Sequence, residues 1–444
     1  MLLTPDKIRD LQRKLYQKAK REPDFRFYLL YDKLYRHDIL QHAMKLVKTK
    51  KGSPGIDGIS FEVIEKMEGG VEKYLEKIAV ELKEKLYRPS PVKRIYIPKR
   101  SGGKRALSIP TIRDRIVQMS LKLIIEPIFE ADFKENSYGF RPKRNAHQAL
   151  NDISTHIIRH KTCIIDADIS KCFDEIPHDK LIKTISKRIV DKHILKLLKM
   201  FLRSPVCEEN DNGKKRIIPN KKGTPQGGVI SPLLANIYLN ILDKTWKLKN
   251  IEEVFGARLA RYADDCVILC KGNEERIFRG FNNIINYLGL SLNCEKTKIV
   301  NSREESFSFL GFSIQTKIHP VSGKTFPLII SSKEAQQRVK SRIRELTGRN
   351  RMNLPVEDVI KQLNSVVRGW SNYFYYGSCT KTHGKIKNFL ELRLINFFRR
   401  KRQWKHRSKA FKNYNNKFLY EDLKLYKIPT TAPWKQKVKA FGRK

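Results

Sequence analysis

Two adjacent aspartates, Asp264 and Asp265, follow Tyr262-Ala263 between two short apolar runs, Ala257 to Ala260 and Cys266 to Cys270. That pattern predicts strand, tight turn, strand, with the acids held at the turn. Far upstream, Cys163-Ile164-Ile165-Asp166-Ala167-Asp168-Ile169 reads as a buried strand running into Ser170-Lys171-Cys172-Phe173. Carboxylates carried to one point by two strand ends can hold a pair of divalent cations, which clamp the attacking and leaving oxygens of a phosphoryl transfer. Spacing leaves the upstream ligand open. Asp166 and Asp168 point to the same face of their strand, because side chains alternate along it.

The elements that must position these acids sit in a very basic chain. Its 444 residues carry 91 Lys and Arg against 46 Asp and Glu, a formal charge of +45. Such an excess repels itself without a polyanionic partner, so nucleic acid is the first expectation and an anionic membrane surface the second. No stretch approaches the roughly 18 apolar residues that a membrane span needs. The amino terminus lacks the basic, apolar and small-residue order of a secretion signal. Seven scattered cysteines read as reduced thiols, with Cys266 and Cys270 serving a strand core. The expected setting is cytoplasmic, a bacterial or organellar interior that includes the nucleoid, with no membrane partner.

Along the chain, residues 1–50 read as a basic helical extension whose Phe25, Phe27, Tyr28, Tyr31 and Tyr35 make a small core. A turn-rich break at Gly52-Ser53-Pro54-Gly55 precedes a helical segment ending near Arg88-Pro89. Val92 to Pro98 alternates as a strand does, Ser101-Gly102-Gly103-Lys104 makes a hairpin turn, and Arg105 to Ile109 returns. Short apolar strands then alternate with helices to about residue 330. Ser331 and Glu334 have capping-box spacing for a helix start. Pro355 opens a further helix, with Glu357 and Asp358 in its first turn, an apolar stripe through Trp370, Tyr373 and Phe374, and Gly377 as its stop. From 331 to 444 there are 29 Lys and Arg against 7 acids, +22, so this helical part is expected to clamp a duplex.

Four more stretches narrow the chemistry. They are Ile97-Pro98-Lys99-Arg100-Ser101-Gly102-Gly103-Lys104-Arg105 continuing to Gln118; Ser137-Tyr138-Gly139-Phe140-Arg141-Pro142; Gly223-Thr224-Pro225-Gln226-Gly227-Gly228 continuing to Asn236; and Leu290-Ser291-Leu292-Asn293-Cys294-Glu295-Lys296-Thr297-Lys298. With the two acid sites, their order and spacing resemble those of reverse transcriptases, in the form found in group II intron-encoded proteins. The likeness covers roughly residues 50 to 325. A second one, Leu363-Asn364-Ser365-Val366-Val367-Arg368-Gly369-Trp370-Ser371-Asn372-Tyr373-Phe374, is similar to the maturase, or thumb, region of the same family.

The resemblance implies an α+β right-hand polymerase, with fingers and an antiparallel palm sheet at 51–327, an α-helical thumb or maturase domain at 328–405, and a basic tail at 406–444 able to contact DNA. In the family an aromatic follows the metal-binding Asp by five residues, which selects Asp168 with Phe173. It implies Asp168, Asp264 and Asp265 as catalytic metal ligands, with the Ile169 carbonyl, for two Mg²⁺ ions that Mn²⁺ can replace. Lys99, Arg105, Phe173 and Gln226 would contact the dNTP, with Phe173 excluding a ribose 2′-hydroxyl. Lys296 matches the proton donor to pyrophosphate, and Lys298 competes for that role. Arg368, Arg393, Arg399, Arg400, Lys401 and Arg402 are the candidate nucleic-acid contacts. The implied partners are an RNA template, the RNA/DNA heteroduplex, group II intron RNA and a DNA target, with functions in splicing and intron mobility. After Cys294 only Cys379 remains, and the last histidines are His383 and His406, too few ligands for a zinc endonuclease module. An endonuclease-lacking type is therefore expected. Two other roles fit the same motifs: a splicing cofactor with an idle polymerase site, and a related enzyme recruited to phage defence or spacer capture.

Overall fold

The computed structural model describes residues 2–98, 103–209, 214–403, 413–431 and 433. Its described strands are β1 (Val92–Pro98), β2 (Lys104–Ile109), β3 (Cys163–Asp168), β4 (Val206–Glu209), β5 (Lys215–Ile218), β6 (Arg258–Tyr262), β7 (Asp265–Cys270), β8 (Lys298–Asn301), β9 (Phe307–Phe309), β10 (Phe312–Ile318) and β11 (Thr325–Ser331). They form sheets of order β2-β1-β4-β5, β6-β7-β3-β8 and β11-β10-β9. Helices pack around them, so the architecture is α+β as expected. The chain divides into two compact units: Met1–Ala149, Ala167–Cys266 and Glu275–Thr297 in one, Leu150–Asp166, Val267–Glu274 and Lys298–Lys444 in the other.

In the first unit, β1 and β2 form an antiparallel hairpin with Lys93 opposite Ile109 and Pro98 opposite Lys104. Its turn, with Lys99, Arg100, Ser101 and Gly102, lies outside the described residues. Val92 and Lys93 pair in parallel with Val206 and Cys207, adding the β4–β5 hairpin. Beside this sheet runs the helix Ile112–Glu130, started by Thr111, whose hydroxyl accepts the Asp114 N–H. The amino-terminal helices are tied to this unit. Gln12 donates to the Leu123 carbonyl at 2.9 Å. The buried Arg188 donates to the carbonyls of Ala19 (2.7 Å), Glu22 (3.1 Å), Phe25 (3.2 Å) and Pro23, and pairs with Asp132 at 3.2 Å. Of the aromatic cluster there, Phe27 is buried whereas Tyr28 is exposed.

In the second unit, Cys163 to Asp166 of β3 pair antiparallel with Asn301 to Lys298 of β8. The helices Lys333–Leu346, Val356–Phe374 and Thr380–Lys401 share one apolar core, including Ile343, Leu363, Val367, Ile386, Leu390 and Leu394. Tyr414, Leu419, Leu425 and Ile428, from the stretch expected to be a tail, belong to that core too. The helix at 333 is capped by Ser332 and not Ser331: the Ser332 hydroxyl accepts the Ala335 N–H, while Ser331 ends β11. Pro355 precedes the next helix as expected, but that helix ends at Phe374, before Gly377. Gly377 turns with φ +57° against Ile329, where a Cβ would collide. Phe374 is buried, Trp370 packs at the core margin, and Tyr373 is exposed with its hydroxyl on the Leu310 carbonyl at 3.0 Å.

His383 is fully buried, its ring edge-on to Trp370 at 5.2 Å. Burial disfavours the charged imidazolium and pushes its pKa from 6.5 down to about 4. Below pH 6.5 the unfolded chain takes up a proton that the folded chain refuses. Stability from this residue is therefore complete above that pH and drains away as pH falls toward 4. At pH 5 the loss amounts to about 2 kcal/mol. Urea unfolding of the full chain at pH 7 and pH 5 should show this extra drop, and His383→Gln should lack it. Parallel losses in the two proteins would mean that the imidazole is not held neutral.

Candidate active site

The acids come from separate strands, and backbone geometry aims them. β6 and β7 are joined by Ala263 and Asp264, with Ala263 in the left-handed region at φ +59°. Asp265 is exposed at the first position of β7, and Asp264 is half-buried. Burial pushes the Asp264 carboxyl up, its own N–H offsets part of the rise, the charge of Asp168 adds to it, and Arg105 and Arg261 oppose it. Asp264 thus lies in the field of one carboxylate and two guanidiniums. Asp168 ends β3, where its N–H meets Thr297 Oγ1 at 3.4 Å and its carbonyl accepts the Asn293 N–H at 2.8 Å. Its carboxylate pairs with Lys296 Nζ at 3.2 Å. Asn293 Oδ1 accepts the N–H groups of Glu295 (3.1 Å) and Lys296 (3.3 Å), curling this segment toward Asp168. Ile169 forms an isolated bridge with Leu292. Lys298 stands opposite Asp166 in the β3–β8 ladder, so the two lysines and the two aspartates are sorted into separate pairs. Among the described residues, no three His, Cys, Asp or Glu side chains close into a ligand cluster.

A glycine-rich loop lies alongside. Phe173 is half-buried in the short helix Cys172–Glu175, and its carbonyl accepts the Thr224 N–H at 2.6 Å. Gln226 Nε2 reaches Asp174 Oδ2 at 3.5 Å, while the Gln226 carbonyl accepts the Ser108 N–H of β2 at 2.6 Å. Backbone approach this close leaves no room for side chains. A Cβ on Gly223 (φ +84°) would strike the Asp174 backbone, and one on Gly227 (φ +113°) would strike the Ser108 carbonyl. Arg105 is exposed on β2, while Lys99 lies outside the described residues. The structure therefore gathers Asp168, Asp264, Arg105 and Lys296, and it joins Phe173 to Gln226 through Thr224 and Asp174.

Of the basic residues in the helical unit, Arg368 is exposed, with its guanidinium over the Tyr426 ring at 5.2 Å. Arg402 is exposed, and Arg399 and Arg400 are half-buried. Arg393 is engaged internally, donating to Thr347 Oγ1 at 3.2 Å and to the Thr347 carbonyl at 3.3 Å. Lys401 likewise donates to the carbonyls of Met352 (2.6 Å) and Leu354 (2.7 Å).

Comparison with known proteins bears on this arrangement directly. Residues 97–314 match the model of the reverse transcriptase (RNA-dependent DNA polymerase) family, and residues 336–415 match the group II intron maturase-specific domain. Protein YkfC of Escherichia coli (strain K12) is 33% identical over 347 residues, covering 70% of this chain and 89% of that protein. The chain belongs to the group II intron-encoded reverse transcriptase and maturase family. Another relative, group II intron-encoded protein LtrA of Lactococcus lactis subsp. cremoris, is 30% identical over 403 residues, 76% of this chain. An uncharacterized 91 kDa protein in the cob intron of Schizosaccharomyces pombe is 29% identical over 445 residues, 82% of this chain. The chain spans 62% and 53% of the length of these last two. In family terms, the first match takes in the acids and the glycine-rich loop, and the second takes in the helical core. No helix among the described residues is long and apolar enough to cross a membrane.

Sequence reasoning missed the residues behind the acids: Arg261 and Asp243, both buried, and Asn136 and Asn236 around them. The one local signal was a charged Arg261 next to Leu259-Ala260 in a strand otherwise apolar at its centre. Gly58 has φ +68° with nothing within 4 Å of a Cβ, so Gly58→Ala should cost about 1 kcal/mol from backbone strain alone. Gly223→Ala adds a clash with the Asp174 backbone and should cost about 3 kcal/mol. Urea midpoints compare the two, and equal losses would show that the loop does not press on Asp174.

Proposed function

We propose that this protein is an RNA-directed DNA polymerase that extends a primer 3′-hydroxyl with deoxynucleotides, and that it binds group II intron RNA to aid splicing and intron mobility. The observation that carries the proposal is the meeting of Asp168 and Asp264, where the charge of Asp168 raises the cost of ionising Asp264, beside Arg105 and Lys296. Oxygen donors with paired negative charge in a half-buried site suit a hard divalent cation. Asp168, Asp264 and Asp265, with the Ile169 carbonyl, would hold two Mg²⁺ ions, Mn²⁺ substituting. Bound there, the ions would ease loss of the proton from the attacking hydroxyl and offset the charge on the phosphate oxygens.

The chain's own residues do the positioning on which phosphoryl transfer mainly depends. Arg105, together with Lys99, grips the triphosphate, its guanidinium fork matched to phosphate oxygens. Phe173 closes under the sugar, so a 2′-hydroxyl meets a ring. Gln226 lies against sugar and base, steadied by Asp174. Lys296 exchanges its carboxylate partner for the leaving pyrophosphate and donates a proton to it, with Lys298 the competing candidate for that role. In the helical unit, Arg368, Arg399, Arg400 and Arg402 contact phosphates of intron RNA or of the template–primer duplex, while Arg393 and Lys401 brace the helix ends that carry them. A-form duplexes are met through their backbone and wide minor groove, and a DNA target completes the mobility cycle.

Primer extension on an RNA template in Mg²⁺ tests the proposal. Wild-type protein should incorporate dNTPs, and Asp264→Asn should lose at least about a hundredfold in rate while retaining RNA on filters. Undiminished extension by Asp264→Asn would remove the acid from the reaction. Absence of any wild-type extension would leave an RNA-binding splicing factor. Phe173→Ala should admit rNTPs, and unchanged sugar selectivity would rule out the gate.

A further inference from the structure

Ala263 is the residue on which the direction of Asp264 turns. It holds a left-handed conformation that a residue with a Cβ adopts only when its surroundings compel it. Three contacts do so. Gly139 lies so close to the turn that a Cβ there would run into the Ala263 nitrogen and the Tyr262 backbone. Segment 136–139 also pairs with β6, Arg261 donating its N–H to the Asn136 carbonyl at 2.8 Å and accepting the Tyr138 N–H at 2.9 Å. From the interior, Arg261 Nη1 donates to the Ala263 carbonyl at 2.9 Å.

The guanidinium that makes this last bond is wholly buried, as is its counter-ion Asp243. Arg261 Nε donates to both Asp243 oxygens at 3.1 Å, and Nη2 donates to Oδ2. Nη1 also reaches Asn236 Oδ1 at 3.1 Å, and Asn236 Nδ2 donates to the Gly139 carbonyl at 2.8 Å. Asn136 Nδ2 completes the set on Asp243 Oδ1 at 2.8 Å. A buried ion pair is a poor source of stability, since apolar residues of similar volume usually do as well. What this one supplies, and an apolar pair cannot, is a directed N–H on the peptide that precedes Asp264. We propose that Arg261 is a positioning residue: paired with Asp243, it locks the Ala263 peptide and so presents the Asp264 carboxylate to the divalent cation. The inference rests on the assignment of Asp264 as a cation ligand made above.

Arg261→Lys is the informative variant. An ammonium keeps the charge opposite Asp243 but lacks the fork that reaches Asp243, Asn236 and Ala263 together. The double variant R261M/D243L removes both charges at similar volume and leaves no orphan ion. Each full-length protein would be checked by thermal melting and filter binding of RNA, then titrated with Mn²⁺ followed by electron paramagnetic resonance, and assayed by primer extension across a Mg²⁺ series. Both variants should fold and hold RNA as wild type does. Their Mn²⁺ dissociation constant and half-saturating Mg²⁺ should rise about tenfold or more, with kcat falling and the dNTP KM little changed. Folded variants with wild-type Mn²⁺ affinity and Mg²⁺ dependence would overturn the inference. So would failure of both variants to fold, which would make the pair a folding element. If wild-type protein binds no Mn²⁺ and extends no primer, it is the cation-site assignment that fails.

Discussion

The structure depends on keeping together two half-buried carboxylates that repel one another. Asp168 and Asp264 arrive from strands far apart in sequence, and burial together with the charge of Asp168 raises the cost of ionising Asp264. A chain free to relax would separate them. Here backbone bonds deny that freedom: Asp168 is fixed through its N–H and its carbonyl to Thr297 and Asn293, and Asp264 follows a two-residue turn between β6 and β7. The positive groups nearby offset the repulsion, Arg105 acting on Asp264 and Lys296 on Asp168. Both sit on exposed side chains that can change partner, whereas the backbone bonds cannot.

The same logic explains the glycines in the loop that carries Gln226. The Ser108 N–H and the Gln226 carbonyl bond two separate elements, strand β2 and the glycine-rich loop. That bond needs backbone against backbone, and at Gly223 and Gly227 a Cβ would occupy the space of a neighbouring carbonyl. Side chains that would touch a nucleotide are thus borne on a frame whose own contacts are made almost entirely by main chain. Gly103, by contrast, has φ +79° and, among the described residues, nothing within 4 Å of a Cβ placed there, so its positive φ is what calls for glycine.

Much of this was legible in the residues because it is local. The strand, turn and strand around Asp264 follow from apolar runs flanking a short polar gap, and β1 falls at Val92–Pro98, where Ile95, Tyr96 and Ile97 precede the turn signal Ser101-Gly102-Gly103. The choice of Asp168 with Phe173 over Asp166 came from motif order, because spacing alone left the two aspartates on one strand face. Boundaries slipped where two signals compete. Ser331 and Ser332 are both N-cap residues by type, and only the end of β11 shows that Ser332 is the cap. Tyr414 and Leu419 looked like part of a basic tail, since sparse apolar residues among lysines have no period until a neighbouring helix core gives them a face.

What stayed invisible shares one property: it is polar, buried and paired at a distance. Asp243 sits inside the helix Ser231–Leu248, where an acid normally marks the solvent side, yet it is almost wholly buried because Arg261, Asn136 and Asn236 surround it. Nothing in either segment names the other. Arg188 repeats the pattern, gathering four carbonyls from the amino-terminal segment that sequence had placed in an appendage. In the helical unit the half-buried Arg393 and the exposed Lys401 also spend N–H groups on Thr347, Met352 and Leu354 at helix ends. In a chain with 91 basic residues, composition counts every one of these as a potential phosphate contact. Only tertiary geometry separates the cations that brace the protein from those left to meet a nucleic acid, because a buried guanidinium must satisfy its donors internally and an exposed one need not.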